Sequence, residues 1–204
     1  MKSFSDLAQS VIYVNEKGIK IKLNDIDPQL ELIGEGRSAY AFKVKSTNKV
    51  LKVYFPAFHS LAKEEAEIYE ILSDTPFYPR LYEIGMNYIV IDYIEGDTLF
   101  NCIRKGVEIT EKNIEEIDQA LEVAKARGLN PSDIHLRNIF LSSGGRIKLI
   151  DVARFRQEKQ CTQWNDLKKA YIRFYKTRHI PKKIPALILN IIAYFYKKRL
   201  FPFF

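Results

Sequence analysis

Near residue 100 the spacing of apolar residues changes, and few folds accommodate both patterns. Up to that point, short apolar or alternating runs end at turn-forming residues. Residues 11–14 and the alternating Ile19, Ile21 and Leu23 predict a hairpin that turns through 15–18. More strands are expected at 31–33, 41–44 and 50–55, and a further pair at 82–84 and 88–93, broken by Gly85. One helix interrupts them at about 61–72, with Ser60 as its expected cap and Pro76 beyond its end. After residue 100, Ile114, Ile117, Leu121 and Ala124 recur at three and four. They lie between a Thr110 cap and a Gly128 stop, which predicts a helix with one buried stripe. Residues 164–175 and 186–196 also read as helical, and 139–141 and 147–150 as short strands. A strand-rich first half and a helix-rich second half predict an α+β chain of two lobes.

Composition permits a packed core at this size. Of 204 residues, 47% are hydrophobic and 28% charged, with only 9 Gly and 8 Pro, which excludes a disordered or collagen-like chain. Cys102 and Cys161 are too few and too scattered for a disulfide framework or a zinc cluster, and they fit a reducing compartment. Residues 1–10 contain no apolar run that reads as a secretory signal, so the expected location is cytoplasmic. The net charge of +7 is unevenly spread. Residues 1–151 carry 19 Lys/Arg against 23 Asp/Glu, or −4, whereas 152–204 carry 13 against Glu158 and Asp166 alone, or +11. A basic final quarter favours a polyanionic partner.

Three segments hold residues suited to phosphate and metal. Gly34-Glu35-Gly36 lies between two strands, where a glycine pair serves turn geometry as readily as a phosphate cradle. No helix and no Walker lysine follows, so neither the dinucleotide fingerprint nor the P-loop applies. Lys52 interrupts the apolar run Val50-Leu51-Lys52-Val53-Tyr54. Such a lysine either reaches solvent at an edge or turns inward and needs an anion, and the next helix offers Glu64, Glu65, Glu67 and Glu70. Finally, Asp133 and Asn138 lead into a strand, and Asp151, thirteen residues after Asn138, ends its partner strand. Hard oxygen atoms gathered at one end of a hairpin suit a magnesium–nucleotide site, with a carboxylate to accept a hydroxyl proton. Each residue alone would serve as a cap; the set at this spacing does not read that way.

Taken in order, these segments resemble the protein-kinase-like fold, over residues 31 to about 170. Within it they resemble the small bacterial serine/threonine kinases related to the RIO, lipopolysaccharide and aminoglycoside kinases. The resemblance implies an N-terminal extension with a hairpin (1–30), a β-rich N-lobe with hinge (31–97) and a reduced helical C-lobe (98–204). It makes Gly34, Gly36 and Ala39 the glycine-rich loop, with Ala39 where a third glycine usually stands. Lys52 would pair with the nucleotide phosphates and Glu65 would hold it, with Glu67 as the alternate register. Asp92, Tyr93 and Ile94 match the hinge whose backbone holds adenine, with Asp97 near the ribose. Asp133 matches the catalytic aspartate, and Asn138 and Asp151 the magnesium ligands. The implied cofactors are ATP and Mg²⁺.

Four departures shape what the resemblance implies. Pro131-Ser132-Asp133 has no arginine to read a phosphorylated activation loop. Asp151-Val152-Ala153 is closer to the RIO pattern than to Asp-Phe-Gly. His135 stands where protein kinases carry lysine. Only 14 residues separate Asp151 from Asp166, with no Ala-Pro-Glu between them, and Asp166, with Trp164 and Leu167, matches the start of the helix that anchors the catalytic loop. The expected acceptor is a protein Ser/Thr hydroxyl, autophosphorylation included. A small-molecule or lipid-linked sugar hydroxyl is the alternative, and a nucleotide-binding pseudokinase or ATPase-like regulator the rival. The basic tail has two readings: an apolar helix packed in place of missing later helices, or a peripheral anchor on an anionic membrane surface through Phe201, Phe203, Phe204 and the lysines. Nucleic acid ranks lower, because the aromatics cluster apart from the basic residues.

Overall fold

Antiparallel pairing organises most of the first half of the chain. The computed structural model describes residues 2–16, 20–177 and 181–198, so part of the first expected turn and the aromatic end at 201–204 lie outside them. The chain divides into two compact units, Met1–Ile94 and Glu95–Phe204.

The first unit opens with helix α1 (Phe4–Gln9) and a hairpin of β1 (Ile12–Glu16) and β2 (Lys20–Asp25). Five antiparallel strands follow: β3 (Leu30–Glu35), β4 (Ala39–Val44), β5 (Lys49–Tyr54), β6 (Leu81–Ile84) and β7 (Tyr88–Asp92), in the order β3-β4-β5-β7-β6. Helix α2 (His59–Ile71) connects β5 to β6. The two-residue period of β5 sorts its side chains between two faces. Leu51 and Val53 enter a core with Leu7, Phe42, Val44 and Val90, while Lys52 and Tyr54 point to Glu65 of α2. Burying each large apolar side chain stabilises the sheet by about 1.5–3 kcal/mol. Tyr13 and Tyr40 both meet the Phe55 ring edge-on, at 5.5 and 5.0 Å between centroids. Thus the hairpin and α1 share the core of the sheet.

In the first unit, two local features differ from the sequence reading. Helix α1 is an addition: the Ser3 hydroxyl accepts the Asp6 N–H at 3.1 Å, the Asp6 carboxylate accepts the Ser3 N–H at 3.2 Å, and Leu7 is fully buried. Ser60 does not cap α2. The chain enters that helix from a 3-10 turn at Pro56–Phe58, whose proline presets the first helical φ, so Ser60 already lies inside the helix.

The second unit joins β8 (Gly96–Thr98), β9 (Ile139–Ser142) and β10 (Ile147–Leu149) into a small antiparallel sheet ordered β10-β9-β8. Gly96 has φ 150°, and a Cβ there would lie 2.2 Å from the Leu141 carbonyl oxygen, so only glycine lets β8 approach β9. Around the sheet are α3 (Leu99–Lys105), α4 (Glu111–Ala126), α5 (Gln163–Ala170), which continues as a π-helix (Tyr171–Lys176), and α6 (Ala186–Lys197). Helix α4 follows its pattern: Thr110 and Asn113 form a reciprocal cap, and Ile117, Ala120, Leu121 and Ala124 are buried. Its acidic residues tie down neighbours. Glu116 accepts the Ile147 N–H at 2.9 Å and pairs with Arg146 at 3.0 Å; Asp118 accepts the Trp164 indole N–H at 2.7 Å and a bond from Lys168. No described helix is long and apolar enough to cross a membrane. The architecture is α+β, as expected.

Candidate active site

In the first unit, a dry ion pair is built from strand and helix. The Lys52 ammonium lies 2.9 and 2.7 Å from the two Glu65 carboxylate oxygens, and the Tyr54 hydroxyl donates to the same carboxylate at 2.5 Å. The two side chains are 14% and 0% exposed. The alternation of β5 brings Lys52 and Tyr54 to one face, and α2 brings Glu65 into register beneath them. An ion pair this dry adds little net stability over apolar residues, whereas removing one partner strands a buried charge. On β3, Gly34 lies at a bulge, and the Gly36 N–H closes a tight turn on the Ala39 carbonyl at 2.9 Å. A Cβ on Gly36 would sit 3.1 Å from that oxygen, so the turn favours glycine.

The residues matched to the hinge engage their own neighbours. Asp92 accepts the Arg80 N–H at 2.9 Å and the Tyr82 hydroxyl at 2.6 Å, fixing β6 beside β7. Tyr93 donates its N–H to the Asn48 carbonyl at 3.0 Å, and its ring lies 4.1 Å beneath the Lys43 ammonium. Ile94 ends the first unit. Asp97, in β8 of the second, pairs with Lys105 at 2.7 Å.

In the second unit, Asp133 and Asn138 share one loop. The Asn138 amide donates to the Asp133 carbonyl oxygen at 3.1 Å, and its N–H donates to the His135 carbonyl at 2.8 Å. The Ile150 N–H then donates to the Asn138 carbonyl at 2.9 Å, which sets Asp151 one residue beyond that link. Asp133 and Asp151 have φ of 62° and 59°. Left-handed backbone costs a non-glycine residue about 1–2 kcal/mol and concentrates at functional sites. Nearby charges surround the Asp133 carboxylate: Arg154 Nε at 3.6 Å and His135 Nε2 at 3.8 Å. His135 Nδ1 accepts the Arg137 N–H at 3.3 Å, which leaves the ring proton of the neutral form on Nε2. Burial holds the His135 pKa below its usual value, Lys197 adds to that, and Asp133 and Asp151 oppose it.

The donor chemistry fits Mg²⁺. With its amide nitrogen bonded to Asp133, Asn138 offers Oδ1, and Asp151 offers a carboxylate; both are hard oxygen donors. Among the described residues no cluster of three or more His, Cys, Asp or Glu side chains is arranged to hold a metal. A Mg²⁺ site of this type completes its shell with phosphate and water oxygens rather than an all-protein cage.

Two findings lie outside the sequence reading. Arg154, three residues past Asp151, faces Asp133, and no spacing rule identified it. Asp166 accepts the Tyr196 hydroxyl at 2.7 Å and the Thr162 hydroxyl at 3.1 Å, so its bonds run to α6 and to the start of α5 rather than to the catalytic loop. The loop is tied instead through Asn130, whose N–H donates to the Phe155 carbonyl at 2.6 Å, and through the Phe100 N–H, which donates to Leu136 at 2.9 Å.

No protein-family profile matches the chain. Individual proteins do. The chain is 49% identical over 195 residues to YrzF of Bacillus subtilis (strain 168), named a "Putative serine/threonine-protein kinase", covering 94% of this chain and 90% of that protein. Proteins of Clostridium perfringens and Clostridium acetobutylicum, each named a "Probable serine/threonine-protein kinase", are 29% identical over 140 residues and 28% over 162. Those alignments cover 60% and 66% of this chain but only 20% and 23% of the clostridial proteins.

Proposed function

The chain belongs to the serine/threonine-protein kinase family, and from that premise we propose that it transfers the γ-phosphoryl group of ATP, with Mg²⁺, to a protein Ser or Thr hydroxyl, its own included. The observation that carries this reading is the Lys52–Glu65 pair: a cation held in a dry place by its own carboxylate is suited to phosphate oxygens rather than to stability. Gly34, Gly36 and Ala39 would lend backbone to the same phosphates. The backbone at Asp92, Tyr93 and Ile94 would hold adenine, and Asp97 would lie near the ribose. Asn138 and Asp151 would hold Mg²⁺, which would supply positive charge to offset that of the phosphates. Asp133 would orient the acceptor hydroxyl and take its proton, with Arg154 Nε 3.6 Å from its carboxylate. Because phosphoryl transfer is mostly positioning and charge stabilisation, this set needs no covalent intermediate.

Within the family we place the chain among reduced, RIO-like kinases. Support comes from Ser132 and Val152-Ala153 in the catalytic motifs, and from the short span between the turn at Val152–Arg154 and α5. We place it in the reducing cytoplasm, in keeping with its two free thiols, Cys102 and Cys161. The test is incubation with Mg²⁺ and γ-labelled ATP. Label is expected on protein and lost in Asp151→Asn, with weaker binding of Mg²⁺·ATP. Label on added metabolites would favour the small-molecule alternative; binding without transfer would favour the regulator and overturn the enzyme.

A second reading concerns the tail. Helix α6 docks through buried Leu189, through Asn190, which accepts a bond from Arg137 at 2.9 Å, and through Tyr196. Leu187, Ile188, Ile191, Ile192, Tyr194 and Phe195 remain exposed, and residues 167–204 contain ten Lys/Arg and no Asp/Glu. An apolar face on a helix that ends in Lys197 and Lys198 is complementary to anionic lipid. Co-sedimentation with vesicles containing phosphatidylserine, but not with phosphatidylcholine alone, is expected; equal or absent binding to both would end this reading.

A further inference from the structure

We propose that the acceptor hydroxyl is presented to Asp133 on an extended segment bearing acidic residues, received by a cationic cleft of the second unit. This deepens the phosphotransfer reading and rests on it for the role of Asp133. An open cleft of about 460 Å³ reaches Ser132 and Asp133 and is bordered by Arg154, Lys159, Tyr196 and Lys197. That volume is typical of ligand sites. Asp133 is the only carboxylate on its lining, against three cations, and most of the remaining lining is amide and hydroxyl.

The cations are held in place by the fold. Asn130, three residues before Asp133, donates its side-chain amide to the Gln157 and Lys159 carbonyls at 2.5 and 3.2 Å, so the catalytic loop itself fixes the backbone that carries Lys159. Lys197 follows Tyr196, whose bond to Asp166 secures the last turn of α6. Arg154 is partly occupied by Asp133, but neither Lys159 nor Lys197 has an ion pair among the described residues. Two unopposed ammonium groups beside the groups that would meet the acceptor attract an acidic flank and repel a basic one. The cleft is open and polar, so it suits an extended chain, which brings its own backbone donors and acceptors, better than an enclosed apolar metabolite.

The experiment measures binding by fluorescence anisotropy. It uses dye-labelled peptides with one Ser flanked by Glu and Asp, by Gln, or by Lys, alongside transfer from Mg²⁺·ATP. The acidic peptide is expected to bind about tenfold tighter than the Gln peptide, and the Lys peptide weakest. The double variant Lys159→Glu with Lys197→Glu should erase that order, whereas Lys63→Glu with Lys112→Glu, an equal charge change on exposed helix positions outside the cleft, should keep it. Equal binding of all three peptides would overturn the proposal by showing no charge preference, and equal loss in both double variants would overturn it by showing no more than net-charge attraction. The wild-type comparison requires no variant to fold. Because binding does not need turnover, acidic selectivity without transfer would sink the kinase reading and leave the cleft standing. Transfer without charge preference would do the reverse.

Discussion

The two units hold their candidate residues in opposite ways. In the first, the Lys52–Glu65 pair is dry, internally neutralised and fixed by sheet and helix packing. In the second, Asp151 is exposed, Asp133 is part-exposed, and both sit at left-handed φ on loops, held by main-chain bonds to Asn138 and its neighbours rather than by a core. A group that must present one fixed charge can be buried, provided its partner is never absent. Groups that must exchange metal, proton and acceptor stay near water, and there strain replaces burial as the device that aims them.

The contrast can be broken by substitution. Glu65→Ala is expected to have the largest effect: it strands the Lys52 cation and costs about 3–5 kcal/mol, read as a lower urea midpoint together with loss of turnover. The double variant Lys52→Met with Glu65→Leu should regain most of that stability and none of the turnover. Failure to regain stability would mean that the pair is structurally required, contrary to its assignment here. Next in size, Asp133→Asn should lower turnover by about 10²–10³-fold with an unchanged urea midpoint, because asparagine tolerates left-handed backbone. Parallel losses of stability and turnover would erase the distinction between the two halves. The smallest effect concerns His135. Its folded pKa lies below the usual value, so the unfolded chain takes up the proton first as pH falls. Stability should therefore decline below about pH 6.5 and level off once the folded state is also protonated. His135→Gln should flatten that limb in unfolding curves taken between pH 7 and 5, and an unaltered slope would assign the decline to other groups.

Long periodic elements were legible in the sequence and short ones were not. Helix α4 announced itself through a stripe of four apolar positions between Thr110 and Gly128, and the structure keeps both ends. Helices α1 and α3 span six and seven residues, too few turns for a period to show. Their signs were chemical instead: Ser3 with Asp6 for one, and Thr98 with a left-handed Gly106 for the other. The inward turn of Lys52 was only half legible: its apolar neighbours allowed either an edge lysine reaching solvent or an inward one beside an anion, and the carboxylate that decides between them comes from α2. The choice of Glu65 over Glu67 came from the family resemblance, and of the two Glu65 is the fully buried one. Arg154 was invisible because its approach to Asp133 depends on the left-handed turn at Asp151, a backbone property that residue types alone do not encode. Asp166 lies in the first turn of α5, as its neighbours indicated, but its bond to Tyr196, thirty residues away on a helix whose seating no local pattern reveals, was not legible.

Helix α6 is a single stiff rod of twelve residues, about 18 Å from end to end. Its final turn supplies Tyr196 and Lys197 to the cleft, while Leu187 and Ile188 at its opposite end stand bare. Such a rod transmits leverage. Anything that grips the bare end and tilts it also moves Tyr196 and Lys197, so a contact made at one end of the rod is felt in the cleft at the other.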